Sequence, residues 1–590
     1  MNYDLNQAPK STTKAALKKM LLFLKPERKN LIKALLVMLL NAAITMATPY
    51  LIGYTIDHYI QTGQYHGLII CCTILFILYL IWAWTEYLQT ELMGSIGQRM
   101  LYSLRNEVFD KLQSLPVGFF NQNKSGDLIA RINNDTDKVN QFFSQSLMRF
   151  ADSIFAMTGA MIFLLSIHLK LGAATLVPGV FILLFVLLVS PWVKKKNAKS
   201  LKLSGGLSGE IQESLHNFKT IIAFNRRDYF RRRFNMANEG NYQAALKAGI
   251  ANSIFVPVFA LFSNLAQLIV LIYGIYLISI GDFTLGLLIS FIAYAQNFYQ
   301  PLRQLAALWA SFQTAMAAWD RISVILEMQP DLVAPLEDNT TKTKVVDIHH
   351  HAPAIEFKAV NFQYPGGKKV LHNIDFRMFK GKTYALVGPT GGGKSTTASL
   401  IARLYDPSSG EVLLNGRDIK SYTNKERTEK IGFILQEPFL FSGTLGDNLR
   451  YGNEALQQLD NEALLAQMQQ LHLEQLLTRF DNGLDTMLSS ATDQISLGQK
   501  QLVAFIRAVL RKPEIIILDE ATANIDTITE QLLSDTLAAL PSSTTRIVIA
   551  HRLHTIENAD EIFFVNQGEL TAAGNFKHAL ELLLEGKRVS

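Results

Sequence analysis

Eight consecutive residues, Gly388-Pro389-Thr390-Gly391-Gly392-Gly393-Lys394-Ser395, combine backbone freedom, one cation and two hydroxyls. They follow the G-x-x-x-x-G-K-[ST] spacing of a phosphate-binding loop. The glycines let successive backbone N–H groups turn inward around an anion. Lys394 offers a point charge to the β- and γ-phosphates of a nucleotide, and Ser395 offers a hydroxyl to Mg²⁺. Far downstream, the apolar run Ile515-Ile516-Ile517-Leu518 ends in Asp519-Glu520. Asp519 is placed to hold the metal, directly or through water. Glu520 is placed to take a proton from, or orient, an attacking water. An acidic strand end alone is commonplace; its company with a phosphate loop is what points to nucleotide hydrolysis.

These residues need a scaffold, and the flanking pattern supplies one. Thr383-Tyr384-Ala385-Leu386-Val387 reads as a short buried strand leading into the loop, and residues from Thr396 to Leu404 read as the helix after it. A helix N-terminus adds positive potential at the phosphates. The expectation from Ile355 onward is an α/β domain with the loop between strand and helix and the two carboxylates at the end of a second buried strand.

The N-terminal half has a different composition. Of 590 residues, 49% are hydrophobic and only 18% charged, and mean hydropathy is +0.15. Six stretches lack Lys, Arg, Asp and Glu: Ala34–Ile56, His58–Thr85, Ser153–Leu169, Leu171–Val193, Ala248–Gly281 and Phe283–Leu302. A spanning helix needs roughly 17–25 apolar residues, so six membrane crossings are predicted. The short connections near Asp57–Gly67, His168–Gly172 and Ile280–Gly286 contain Lys170 as their only Lys or Arg, whereas Glu86–Asp152 and Lys194–Lys247 are long and basic. Basic connections face the cytoplasm, which places both termini there as well. Within the long connections apolar residues recur at helical spacing, as in Met100–Leu115, so the membrane helices are expected to run on into two cytoplasmic hairpins.

Smaller features fit the same plan. Residues 1–29 carry a basic amphipathic segment suited to the membrane surface, and 30–328 form the six-helix domain. Residues 329–353, with prolines, acids and three adjacent histidines (His349, His350, His351), read as a linker, and 354–590 as the ATPase domain. Cys71 and Cys72 are adjacent inside an apolar run, with no metal-ligand spacing. The net charge of +6 is mild for the length and gives no reason to expect nucleic acid.

With these motifs in view, the C-terminal half resembles an ABC-transporter ATPase domain. The whole chain resembles a half-transporter of the type IV exporter group, of the multidrug or lipid exporter type. The resemblance implies a membrane all-α six-helix domain joined to an α/β phosphate-loop NTPase with a helical subdomain. It implies ATP held by the residues from Gly388 to Thr396, with Tyr364 of the NFQYP run stacked on adenine. It makes Gln436, in ILQEP, a sensor of Mg²⁺. Asp526, in ANID, becomes a loop that communicates across a dimer, and His551, in IVIAHRL, a contact to the γ-phosphate. Phe119-Phe120 through Gly126-Asp127-Leu128 and Arg131 looks like a first coupling element, and Ala223-Phe224-Asn225 running to Phe234 a second.

Two departures stand out. The family signature is usually L-S-G-G-Q, and here the residues are Ile495-Ser496-Leu497-Gly498-Gln499. Leu497 adds bulk and restricts the backbone where a glycine allows close approach, so a site using this signature is expected to hydrolyse poorly. The Gly-Glu-x-Gly stretch common before it is replaced by Ser489-Ser490-Ala491-Thr492. An intact Glu520 beside an altered signature resembles one subunit of a heterodimeric exporter with one competent and one slow site; a homodimer with two slow sites is the alternative. The function expected is ATP-driven export of a lipophilic or amphipathic small molecule, lipid or peptide by alternating access. An importer on the same fold, and an ATP-gated channel or regulatory subunit, are the competing readings.

Overall fold

The computed structural model describes residues 3, 5, 13–329, 352–436, 438–471, 473–488, 495–519, 527–538, 540–549, 557, 559–574 and 576–586. The chain forms two compact units. One comprises Ala8–Lys111 and Gly126–Glu327; the other comprises Met1–Gln7, Leu112–Ser125 and Met328–Ser590.

The first unit is helical. The helices that carry most of each charge-free stretch are α1 (Arg28–Thr55), α2 (Tyr65–Gln113), α3 (Leu147–Ile167), α4 (Leu169–His216), α5 (Phe255–Ser279) and α6 (Leu285–Glu327). With 49 residues, α2 is about 75 Å long at a rise of roughly 1.5 Å per residue, against a hydrocarbon core of ~30 Å. The excess length carries it beyond any bilayer. Among the described residues, 5 helical segments are long and apolar enough to cross a membrane, and α6 is not one of them. Gln296, Asn297 and Gln300 interrupt its apolar stretch. The charge-free block from Ala248 divides into the end of a helix at Arg227–Ser253 and the start of α5, with the break at Ile254. Pro257 lies in the first turn of α5, where its missing N–H costs no helical hydrogen bond.

Close packing joins α1 to α6. A Cβ on Gly286 would lie 2.0 Å from the Gly53 carbonyl oxygen, so only glycine permits the approach. Tyr294 Oη donates to the Met46 carbonyl at 2.6 Å, and Ser290 Oγ to the Pro49 carbonyl at 2.7 Å. The N-terminal helix Thr13–Phe23 shares this unit. Its Met20 is fully buried, while Leu21 and Leu22 are exposed. Phe23 meets Trp319 of α6 edge-on at 5.6 Å, and Lys19 pairs with Glu327.

The second unit is built on two main sheets. Its strands are β1 (Ile355–Gln363), β2 (Lys369–Met378), β3 (Thr383–Val387), β4 (Ser409–Leu414), β5 (Arg417–Asp418), β6 (Ile431–Ile434), β7 (Gly443–Thr444), β8 (Met487–Leu488), β9 (Ile515–Asp519), β10 (Thr545–Ile549), β11 (Glu561–Asn566) and β12 (Glu569–Ala572). One sheet runs β2-β1-β4-β5 and is antiparallel; the other runs β12-β11-β3-β10-β9-β6 and is parallel except at β12. The apolar run in β9 serves both faces. Ile515 and Ile517 enter the core shared with Ile355, Phe357 and Leu386, while Ile516 and Leu518 enter the core of a helical subdomain with Leu464, Met468, Leu502 and Phe505. Alternate side chains of a strand point to opposite faces, so a strand covered on both sides must be apolar throughout.

Candidate functional site: the phosphate loop and its surroundings

Parallel register brings the chemistry to one edge. Ile549 of β10 lies opposite both Leu386 of β3 and Asp519 of β9, and Leu518 lies opposite Ile434 of β6. The carboxyl ends of these strands are therefore level. The loop leaves β3, Asp519 closes β9, and Gln436 follows β6 by two residues. Ligands of open α/β sheets bind along this edge.

The loop geometry requires its glycines. Gly388 has φ of 143°, and a Cβ there would lie 2.0 Å from the Val565 carbonyl oxygen. Gly393 has φ of 117° and caps the helix Lys394–Ile401, the helix starting two residues before the predicted Thr396. Pro389, Thr390, Gly391 and Gly392 complete the turn, closed by a hydrogen bond from the Gly392 N–H to the Pro389 carbonyl at 3.1 Å. Lys394 is only 5% exposed, and its ammonium donates to the carbonyls of Gly388 at 2.9 Å and Pro389 at 3.0 Å. A buried ammonium folded back over its own loop frames the space where phosphate oxygens would lie.

Ser395 Oγ donates to Asp519 Oδ1 at 3.2 Å. A hydroxyl and a carboxylate in contact, with Gln436 on the next strand end, form an all-oxygen donor set of the kind Mg²⁺ takes alongside nucleotide phosphates. The residues present therefore fit the ion. Tyr364, just past β1, places its hydroxyl 3.0 Å from Thr396 Oγ1, and its ring meets Tyr405 edge-on at 5.1 Å and Phe362 at 4.8 Å. Tyr364 thus stands beside the phosphate-loop helix. Glu520, Asp526 and His551 lie outside the described residues, as do Ser489–Thr492 and the histidines of the linker.

The signature segment is described from Ile495 on. Ser496 caps the helix Leu497–Val509 through a reciprocal box: its Oγ accepts from the Gln499 N–H at 3.1 Å, and its own N–H donates to Gln499 Oε1 at 2.9 Å. Gln499 Nε2 also holds the Arg479 carbonyl at 2.8 Å. Gly498 is buried, whereas Leu497, the first helical residue, is 37% exposed. The leucine side chain thus stands on the surface beside the helix N-terminus and its orphan N–H groups.

The segment expected to be a first coupling element splits between the units. Phe119 of the short helix Val117–Gln122 is fully buried. Asn121 Nδ2 donates to Tyr405 Oη at 2.8 Å, Gln122 Nε2 to the Pro365 carbonyl at 2.7 Å, and a Cβ on Gly118 would lie 3.3 Å from the Tyr405 ring. Tyr3 joins this seat: its N–H donates to Gln122 Oε1 at 2.9 Å, and its ring meets Phe119 edge-on at 6.3 Å. Burial raises the Tyr405 hydroxyl above the usual phenol range, against the Asn121 hydrogen bond. The following residues belong to the helical unit. There Arg131 pairs with Asp127 at 2.9 Å, and Arg321 pairs with Asp127 at 2.5 Å and Asp135 at 3.2 Å. In the second element Phe224 is 74% exposed and Asn225 takes φ of 49°.

Sequence reading named Phe119 and Tyr364 but missed Tyr405, which touches both the coupling helix and the Tyr364 ring. The only available signal was an aromatic residue four positions beyond the phosphate-loop helix. Polar side chains of the helical unit fall into two groups. Asn264, Gln296 and Tyr299 line a cleft of about 320 Å³, whereas Asn252 pairs with Asn197.

A phosphate loop ending a parallel strand, a carboxylate on the next-but-one strand and a membrane-length helical unit define an ATPase tied to membrane transport. Residues 31–302 match the ABC transporter transmembrane region, and residues 371–523 the ABC transporter domain. An uncharacterised ABC transporter ATP-binding protein of Bacillus subtilis, YfiC, is 31% identical over 96% of this chain and 92% of its own length. A fatty acid ABC transporter ATP-binding/permease protein of Mycobacterium tuberculosis is 30% identical over 85% of this chain and 78% of its own. The solved structure of a bacterial Atm1-family ABC exporter with ATP bound aligns with a TM-score of 0.78 and 25% identity, over 95% of this chain and 98% of that one. The chain belongs to the ABC transporter family, has the exporter fold, and is an ATPase.

Proposed function

We propose that this chain is one half of a dimeric exporter that moves a lipophilic or amphipathic substrate across the cell membrane by alternating access, with a different half-transporter as its partner. The observation that carries the reading is the coupling helix Val117–Gln122 packed in the ATPase unit on Tyr405, whose ring meets that of Tyr364. Nucleotide at the Tyr364 face and the helix that continues from α2 thus share one side chain. In this reading ATP lies along the carboxyl edge of the parallel sheet, in the cytoplasm.

The residues divide the labour. The loop from Gly388 to Gly393 and the N-terminus of its helix bind the phosphates, with Thr396 anchoring the Tyr364 hydroxyl. Lys394 exchanges its loop carbonyls for phosphate oxygens. Ser395, Asp519 and Gln436 hold Mg²⁺, which neutralises phosphate charge when bound. Glu520 orients water or accepts its proton, and His551 contacts the γ-phosphate. Ser496, Leu497, Gly498 and Gln499 face ATP bound by the partner, and Asp526 links the two sites. The exposed Leu497 supports a slow site at this signature, because its bulk stands where the partner's phosphate would approach.

The test is the ATP turnover of the purified chain, alone and with a second half-transporter. Low turnover alone and high turnover together are expected, with ATP-driven accumulation in vesicles of inverted orientation. High turnover by the chain alone would sink the heterodimer.

A further inference from the structure

In the helical unit, four polar side chains from three helices meet: Asn41 inside the charge-free stretch of α1, Glu86 and Gln89 just past that of α2, and Asp152 just before that of α3. Asn41 Nδ2 donates to Glu86 Oε2 at 2.6 Å and to Gln89 Oε1 at 3.4 Å. Gln89 Nε2 donates to Asp152 Oδ2 at 2.6 Å. Gln89 is fully buried and Asn41 is 7% exposed. Glu86 is half-buried and held by Asn41.

The cluster is short of donors. Ionised carboxylates only accept, and the two amides bring as many acceptor oxygens as NH₂ groups. Asn41 Oδ1 is buried and has no hydrogen-bond partner among the described residues. It belongs to the same amide whose Nδ2 is bonded to Glu86. Among the described residues, no Lys, Arg or His pairs with Glu86 or Asp152. Carboxylates in membrane helices without a counter-charge are costly and by default mark a functional site.

We infer that Asn41, Glu86, Gln89 and Asp152 form a binding site for an amphipathic organic cation carrying N–H donors, an ammonium headgroup on an apolar body. Such a headgroup supplies both the missing charge and the missing donors for Asn41 Oδ1 and the carboxylates. No group of three His, Cys, Asp or Glu suited to a metal occurs among the described residues. Trp82, one turn before Glu86 on the same face of α2 and 40% exposed, offers a ring to the cation or its apolar body. This names the substrate class of the exporter proposed above and rests on that reading for its role, though not for binding itself.

The experiment uses the full dimer in lipid nanodiscs without nucleotide. The probe is dansylcadaverine, a primary amine, with its N-acetylated form as the uncharged match; transfer from protein tryptophan to dansyl reads binding. The amine is expected to bind at least tenfold more tightly than the acetylated form. Glu86→Gln with Asp152→Asn should erase that preference, and Glu86→Asp, which keeps the charge, should retain it. Basal ATP turnover shows that each variant is folded. Equal binding of the two probes, an unchanged preference in the double variant, or competition by Na⁺ without any preference for the amine would each overturn the assignment. Binding is read without ATP, so absent transport with intact binding counts against the export reading alone.

Discussion

Lys394 is buried against its own loop carbonyls, so its ammonium is desolvated and aimed before any phosphate arrives. Lys394→Ala should therefore remove a preorganised charge and lower ATP turnover at least about a hundredfold, measured as phosphate release. Ser395 and Asp519 make the corresponding case for the metal. Chelating Mg²⁺ with EDTA should stop turnover, and Ser395→Ala should raise the Mg²⁺ needed to restore it. Leu497 has the opposite sign. It is exposed at the first helical position, so Leu497→Gly costs the helix about 1 kcal/mol at most. Steady-state turnover of the dimer should rise severalfold as the slow site gains close backbone approach. An unchanged rate would mean that the leucine does not hold the site back. The loop was legible because phosphate binding needs glycines and a lysine at fixed spacing. The capping role of Ser496 was not read, although Gln499 three residues on is a capping-box pattern.

At the scale of elements, the helix Val117–Gln122 has a seat whose grip can be loosened without touching nucleotide. Asn121→Ala removes the donor to Tyr405 Oη, a neutral hydrogen bond worth about 1 kcal/mol. Basal turnover should stay near its original value, while stimulation of turnover by transported substrate should fall by more than half. Gly118→Val presses on the Tyr405 ring, where a Cβ already comes within 3.3 Å, and should act more strongly in the same direction. Equal loss of basal and stimulated turnover would mean that the helix supports the fold and does not transmit closure. The aromatic pair Phe119-Phe120 announced this element, but its partners lie 243 to 284 residues away in sequence and no local pattern encodes them. The membrane helices show the complementary limit. Charge-free blocks mark where lipid contact is allowed, yet lack of charge alone does not show the break at Ile254; the signal there is Pro257, which has no N–H for the Ser253 carbonyl. The polar cluster around Asn41 was invisible for the same reason, since its members come from three separate helices.

For the whole molecule, the decisive question is whether two nucleotide sites contribute equally. An intact phosphate loop with Asp519 and Glu520 belongs to one composite site, and the altered signature around Leu497 to the other. If each ATP is sandwiched between one chain's loop and the other chain's signature, the altered signature burdens the site on the partner's loop and leaves the site on this chain's own loop intact. Glu520→Gln in this chain should then abolish steady-state turnover of the dimer while leaving ATP binding intact, measured by phosphate release and by trapping of labelled ATP. Changing the corresponding carboxylate position of the second half-transporter should alter turnover by no more than about twofold, because that site already turns over slowly. Two equally severe losses would mean symmetric, interdependent sites and would remove the catalytic meaning attached to Leu497. Retained turnover in the Glu520→Gln dimer would instead move the water-activating role elsewhere along the strand-end edge, with Gln436 and His551 as the groups to change next.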